Sequence, residues 1–188
     1  MVHRHGPASA VLWGLVLLCW AWMFAASRSR NRLLNRLGNR FGGFVHSRFS
    51  WATLTPEARQ LSFVRMYGKT PCQFRLRYVF PLGGMGVPLT VMEFELPEAV
   101  LGSEPGRYLP EEWHAGRGLF LAGVNLTPIY ARFVGELPGG VRPRLGWLGS
   151  EVRVSLPGLL GDAEEVWVTR CFEFLDELAG RLCGAAPR

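Results

Sequence analysis

Between Pro7 and Ser27 the chain reads PASAVLWGLVLLCWAWMFAAS, twenty-one residues without one charged side chain. As an α-helix rising ~1.5 Å per residue, such a run is about 31 Å long, enough to cross a hydrocarbon core. It constrains everything after it to start beside a membrane, with residues 1–6 as a short tail on the other side. A signal peptide shares some of these features: a basic start, an apolar run, and small residues such as Ala25-Ala26-Ser27. Two observations favour a retained single-pass transmembrane helix over residues 7–27. The run is longer than the roughly 7–15-residue core of a signal peptide and holds three tryptophans. Five arginines also follow it directly.

Those arginines are Arg28, Arg30, Arg32, Arg36 and Arg40. Arg4, two histidines and the terminal amine are the only basic groups ahead of the span. Positive-inside bias therefore places the N-terminus outside and the C-terminal domain in the cytosol. Residues 28–43 read as a basic amphipathic juxtamembrane helix. Leu33, Leu34, Leu37 and Phe41 make one stripe, Arg32, Arg36 and Arg40 another, and Gly42-Gly43 ends it. Two accounts fit this pattern equally. In one, the helix lies on the leaflet and its five arginines bind anionic lipid headgroups, at about 1 kcal/mol each. In the other, the leucine stripe packs on the following domain and the arginines only set topology.

Charge separates that segment from the remainder. Seven of the 21 basic residues and none of the 15 acids precede Glu57, so the later chain has fourteen against fifteen, a net of −1. A nucleic-acid-binding domain would carry its basic footprint on the fold itself, so nucleic acid is not an expected partner. Residues 44–183 suffice for one soluble domain with a core, followed by a flexible tail at 184–188. Cys19, Cys72, Cys171 and Cys183 show no C-x-x-C spacing and sit among apolar neighbours, which predicts buried free thiols.

Leu61 to Met66 predicts a strand, and Tyr67 to Pro71 a turn. From Cys72 to Phe80, Cys72, Phe74, Leu76 and Tyr78 alternate with Gln73, Arg75 and Arg77, the period of a half-buried antiparallel strand. After Pro81 to Gly86, Val87 to Leu96 returns with Met92 and Phe94 inward. Arg75 and Arg77 then face Glu93 and Glu95 as solvated pairs. Pro97 to Gly118 is a long loop, and Leu119 to Val124 one buried strand. Thr127-Pro128 opens a helix to about Leu137, with Thr127 as its cap. Val141 to Trp147 and Glu151 to Leu156 form a second hairpin. Asp162 to Cys183 is the strongest helix, with Asp162 and Glu165 at capping-box spacing. The sum is an α+β fold: an N-terminal transmembrane helix, then a mainly antiparallel sheet packed by a C-terminal helix.

No phosphate-binding glycine pattern or nucleophile elbow occurs. Glu111, Glu112 and His114 fall short of a metal set, and neither a metal nor a cofactor is expected. Phe49, Trp51 and Trp147 are the candidate partner surface, being aromatic residues in an irregular stretch and near a hairpin tip. The pattern predicts a non-catalytic accessory or scaffold component, with the lipid bilayer and one protein as partners. A tethered small-ligand or lipid-binding domain is the alternative, and a hydrolase-like enzyme with dispersed residues stands behind it.

Overall fold

The computed structural model describes residues 7–46, 49–50, 55–56, 59–79, 87–96, 107–108, 118–138, 141, 143–148 and 150–185. Its first element is one unbroken α-helix, α1 (Pro7–Phe41), of 35 residues. The apolar span and the basic stretch, which the sequence suggests as two helices, thus share a single axis. Nothing between Ser27 and Arg32 is a helix breaker, and Ser29 finds a partner outside the helix. α1 ends where expected. Gly42 takes a left-handed φ of 69°, and the Gly43 N–H reaches back to the Gly38 carbonyl at 2.8 Å, closing a Schellman turn. A Cβ on Gly43 would lie 2.9 Å from the Ser62 carbonyl, so that position has no room for a side chain.

The strands follow as β1 (Phe44–His46), β2 (Phe49–Ser50), β3 (Thr55–Pro56), β4 (Gln60–Tyr67), β5 (Thr70–Val79), β6 (Leu89–Glu95), β7 (Arg107–Tyr108), β8 (Phe120–Leu121) and β9 (Val124–Asn125). Helix α2 (Thr127–Glu136), β10 (Arg144–Leu148), β11 (Glu151–Pro157), a 3-10 turn at Asp162–Glu164 and helix α3 (Glu165–Ala185) complete the elements among the described residues. Seven strands form one sheet in the order β1-β4-β5-β6-β11-β10-β7, antiparallel at every junction. The α+β class holds.

Side-chain alternation sets the two faces. Leu61, Phe63, Phe74, Leu76, Met92, Phe94, Val152 and Val154 point inward and are buried against α1, α2 and α3. Phe41, Phe63 and Phe74 stack in sequence, with ring centroids 5.2 and 5.1 Å apart. From α3, Val168, Cys171, Phe172, Leu175, Leu178 and Leu182 complete this core, as the helical period predicts. The outer face carries the charges. Arg77 meets Glu93 at 3.0 Å, Arg75 meets Glu95 at 2.5 Å and Glu151 at 3.7 Å, and Arg153 meets Glu151 at 2.9 Å. Glu93 was expected to be solvated, yet it is only 2% exposed. It occupies a central strand, flanked in register by Arg75 on β5 and Arg153 on β11.

Three local readings need correction. Leu119 to Val124 is not one strand but the hairpin β8–β9, turned by Ala122 at φ 49° and Gly123 at φ 75°. The apolar run hides the turn because Ala122 occupies a position that glycine or asparagine usually marks. Thr127 does not cap α2. Its hydroxyl accepts the Leu119 N–H at 2.7 Å, and its own N–H goes to Asn125 Oδ1. The box before α3 is displaced by one residue: Glu164 Oε2 accepts the Gly161 N–H at 2.7 Å, leaving the Asp162 carboxylate free for another role.

Candidate functional site: the junction of anchor and domain

That role is to hold α1. Ser29 donates its hydroxyl proton to Asp162 Oδ1, and its oxygen accepts the Asp162 N–H at 3.0 Å. One turn further, Arg32 meets the same carboxylate at 3.0 Å and Arg36 at 3.3 Å, while Arg36 also reaches Glu165 at 2.9 Å. Arg40 meets Glu173 at 3.6 Å. The four-residue repeat of Arg32, Arg36 and Arg40 therefore lies along the acidic flank of α3. The Ser29 hydrogen bond, followed by the Arg32 and Arg36 charges, holds the Asp162 carboxyl below its ordinary range.

The apolar stripe runs alongside. Leu33, Leu34 and Leu37 are completely buried, and Phe41 packs on Phe63 and Phe172. Burying one leucine contributes about 1.5–3 kcal/mol, against under ~1 kcal/mol for an ion pair as exposed as these. The arginine side chains keep 51–58% of their surface. The leucines fasten the helix, and the arginines orient it. Of the two accounts that the sequence leaves open for this stripe, packing on the domain is the arrangement present.

The remaining candidate residues fall in different places. Arg30 sits 5.7 Å over the ring of Tyr78, and Arg28 is exposed without an ion pair among the described residues. Trp147 is not a surface residue. On β10 it pairs with Val152 and shares the inward face with Leu145, so it is 4% exposed. Position near a hairpin tip suggested exposure, but the period of two governs. Phe49 lies in β2, opposite Pro56 of β3. Its side chain, and Trp51 entirely, lie outside the described residues, as do Glu111, Glu112 and His114. Sequence reasoning missed Ser29 and Asp162 as partners, because no local signal links positions 133 residues apart.

Groups that could do chemistry are sparse. Among the described residues no cluster of three His, Cys, Asp or Glu could hold a metal. Cys72 and Cys183 bring their sulfurs to 3.5 Å, and burial pushes the Cys72 thiol up to about 12. Such a thiol is a poor nucleophile at neutral pH. A depression of about 810 Å³ opens at the far end of the domain, lined by Tyr67, Lys69, Thr70 and Cys183, with no imidazole or carboxylate among the described residues that line it. Beside it Asp176 accepts hydrogen bonds from Arg65, at 2.6 Å, and Tyr67. Between sheet and α3 the core side chains are buried, and at its edge a depression of about 240 Å³ is lined by Phe41, Phe63, Arg65, Phe74, Phe172 and Asp176.

Among the described residues one helix is long and apolar enough to cross a membrane, and it lies near the N-terminus. The chain matches no protein-family model, no curated protein and no solved structure.

Proposed function

We propose that the chain is a single-pass membrane protein whose cytosolic α+β domain is held against the bilayer to bind a protein partner, as an accessory or scaffold component. The observation that carries this reading is the continuity of α1. The apolar span passes without a linker into the domain core, so the domain's orientation is tied to that of its anchor. A tethered catalyst or a free-swinging receptor gains little from that rigidity, whereas a scaffold that presents one face at a fixed height depends on it. The near-neutral domain and the sparse chemistry at its described surface agree with a binding role.

The partner test uses the full chain, cross-linked in membranes before mild detergent extraction. One defined protein should be recovered in near-stoichiometric amount. Recovery of the chain alone after efficient cross-linking contradicts the partner reading.

A further inference from the structure

Every described side chain from Val11 to Ala25 is exposed, and the domain first covers the helix at Ala26 and Ser27. The part of α1 ahead of that contact, residues 7–25, is about 28 Å long, against a hydrocarbon core of about 30 Å. This leaves no slack. If α1 spans a bilayer, the hydrocarbon must end where the domain begins. Headgroups occupy roughly 5–8 Å beyond that edge. Ser29, one turn past Ala26, is already bonded to Asp162, so whatever shares the level of Ser29 sits among headgroups.

Two connections are bonded to residues beside Ser29 and Arg30. One enters β6 through Val87 and Pro88; the other leaves β11 through Pro157, Gly158 and Leu159. They are tied together and to α1 by a chain of bonds. The Gly158 N–H donates to the Pro88 carbonyl at 2.7 Å, and Thr90 Oγ1 donates to the Gly158 carbonyl at 2.8 Å. Thr90 Oγ1 also accepts the Leu160 N–H at 2.9 Å, and the Tyr78 hydroxyl donates to the Leu160 carbonyl at 3.0 Å. Tyr78 lies under Arg30 of α1. Much of the backbone polarity of this edge is thus satisfied internally, which is what contact with lipid requires. Its side chains are apolar: Val87 is 64% exposed, and Pro157 is exposed beside a half-buried Leu159. No charge occurs from Tyr78 through Met92, or from Val154 through Gly161. Of the two acids that follow, Asp162 is neutralised by Arg32 and Arg36, and Glu164 accepts the Gly161 N–H. The opposite end of the domain differs in carrying charge, with Lys69, Arg65, Asp176 and Arg181 beside the exposed Val64 and Met66.

We infer that this edge is a lipid-contacting surface: Val87, Pro157 and Leu159 rest at the acyl boundary of the leaflet, with Arg28 and Arg30 at its phosphates. The inference rests on α1 spanning the membrane, and the experiment separates the two. In a Cys19→Ala, Cys183→Ala background, a fluorophore is placed in the full chain by Leu17→Cys, Val87→Cys, Pro157→Cys or Lys69→Cys. Each protein is reconstituted into nanodiscs of phosphatidylcholine and phosphatidylglycerol. Quenching by spin-labelled lipid is compared with quenching by aqueous iodide. The expected result is lipid quenching at positions 17, 87 and 157, and iodide quenching at 69. Lipid quenching at 17 with iodide quenching at 87 and 157 overturns the surface while leaving the anchor. Iodide quenching at 17 overturns the anchor, and the surface with it. Two independent labels on the edge keep the result readable if one substitution disturbs the fold.

Discussion

Ser29 and Asp162 exchange two hydrogen bonds, hydroxyl to carboxylate and backbone N–H to hydroxyl, and so join α1 to the start of the C-terminal helix. The contact is close: a Cβ on Gly161 would collide with the Ser29 hydroxyl. Two segments from opposite ends of the chain meet here, and the fold's relation to its anchor follows from that meeting.

The pH dependence of the junction follows from Asp162. Its folded-state pKa is depressed, so its contribution is complete above the ordinary value of 3.8 and fades as pH falls through the lower folded value. Thermal unfolding in detergent should show a constant gap between the native chain and Asp162→Asn from pH 5 to 8, as both lie above about 4. The gap should shrink below pH 4. A gap that widens on acidification contradicts the assignment.

The ranking of leucines over arginines is measurable by the same method. Leu37→Ala should lower stability by about 3 kcal/mol, since it empties a fully buried site. Arg36→Ala should cost under ~1 kcal/mol, and its effect should fall further in high salt. Equal losses for the two would show that charge, not burial, fastens α1.

Glu93 gives a third test. Its carboxylate is nearly buried between Arg75 and Arg77, so Glu93→Ala leaves their positive charges without their central partner. Denaturant unfolding should register a loss of about 3 kcal/mol, typical of removing one member of a buried pair. Glu95→Ala, on the same strand but half exposed, should cost well under half of that.

The thiols report the compartment. The Cys72 and Cys183 sulfurs are 3.5 Å apart, a gap that side-chain rotation can close to a bond. A cytosolic domain keeps both reduced. Mass spectrometry of the chain alkylated under denaturing conditions straight from membranes should find both as alkylated thiols. In the folded chain at pH 8, Cys72 and Cys171 should resist iodoacetamide until denaturant is added, because burial raises both thiol pKa values.

Strands β5 and β6, the end of α1 at Gly42 and the buried stripe of α3 were legible in the sequence because each follows a local period or a local stop signal. Arg75 opposite Glu93 is one such success, fixed by alternation alone. What escaped depended on distance along the chain. Asp162 looks like a cap by spacing, but Ser29 claims its side chain. Trp147 looks like a tip residue, but its register turns it inward. The leucine stripe of residues 33–37 states that a surface must be covered, not by what. The partner surface around Phe49 and Trp51 rests on sequence alone.

The most direct measurement is protease protection of a C-terminal tag on the full chain, in intact and in opened cells, with the chain length read on the same gel. The account predicts an uncleaved chain in the membrane fraction, its tag protected until the membrane is opened. A tag digested in intact cells, or a soluble chain shortened near Ser27, would contradict it.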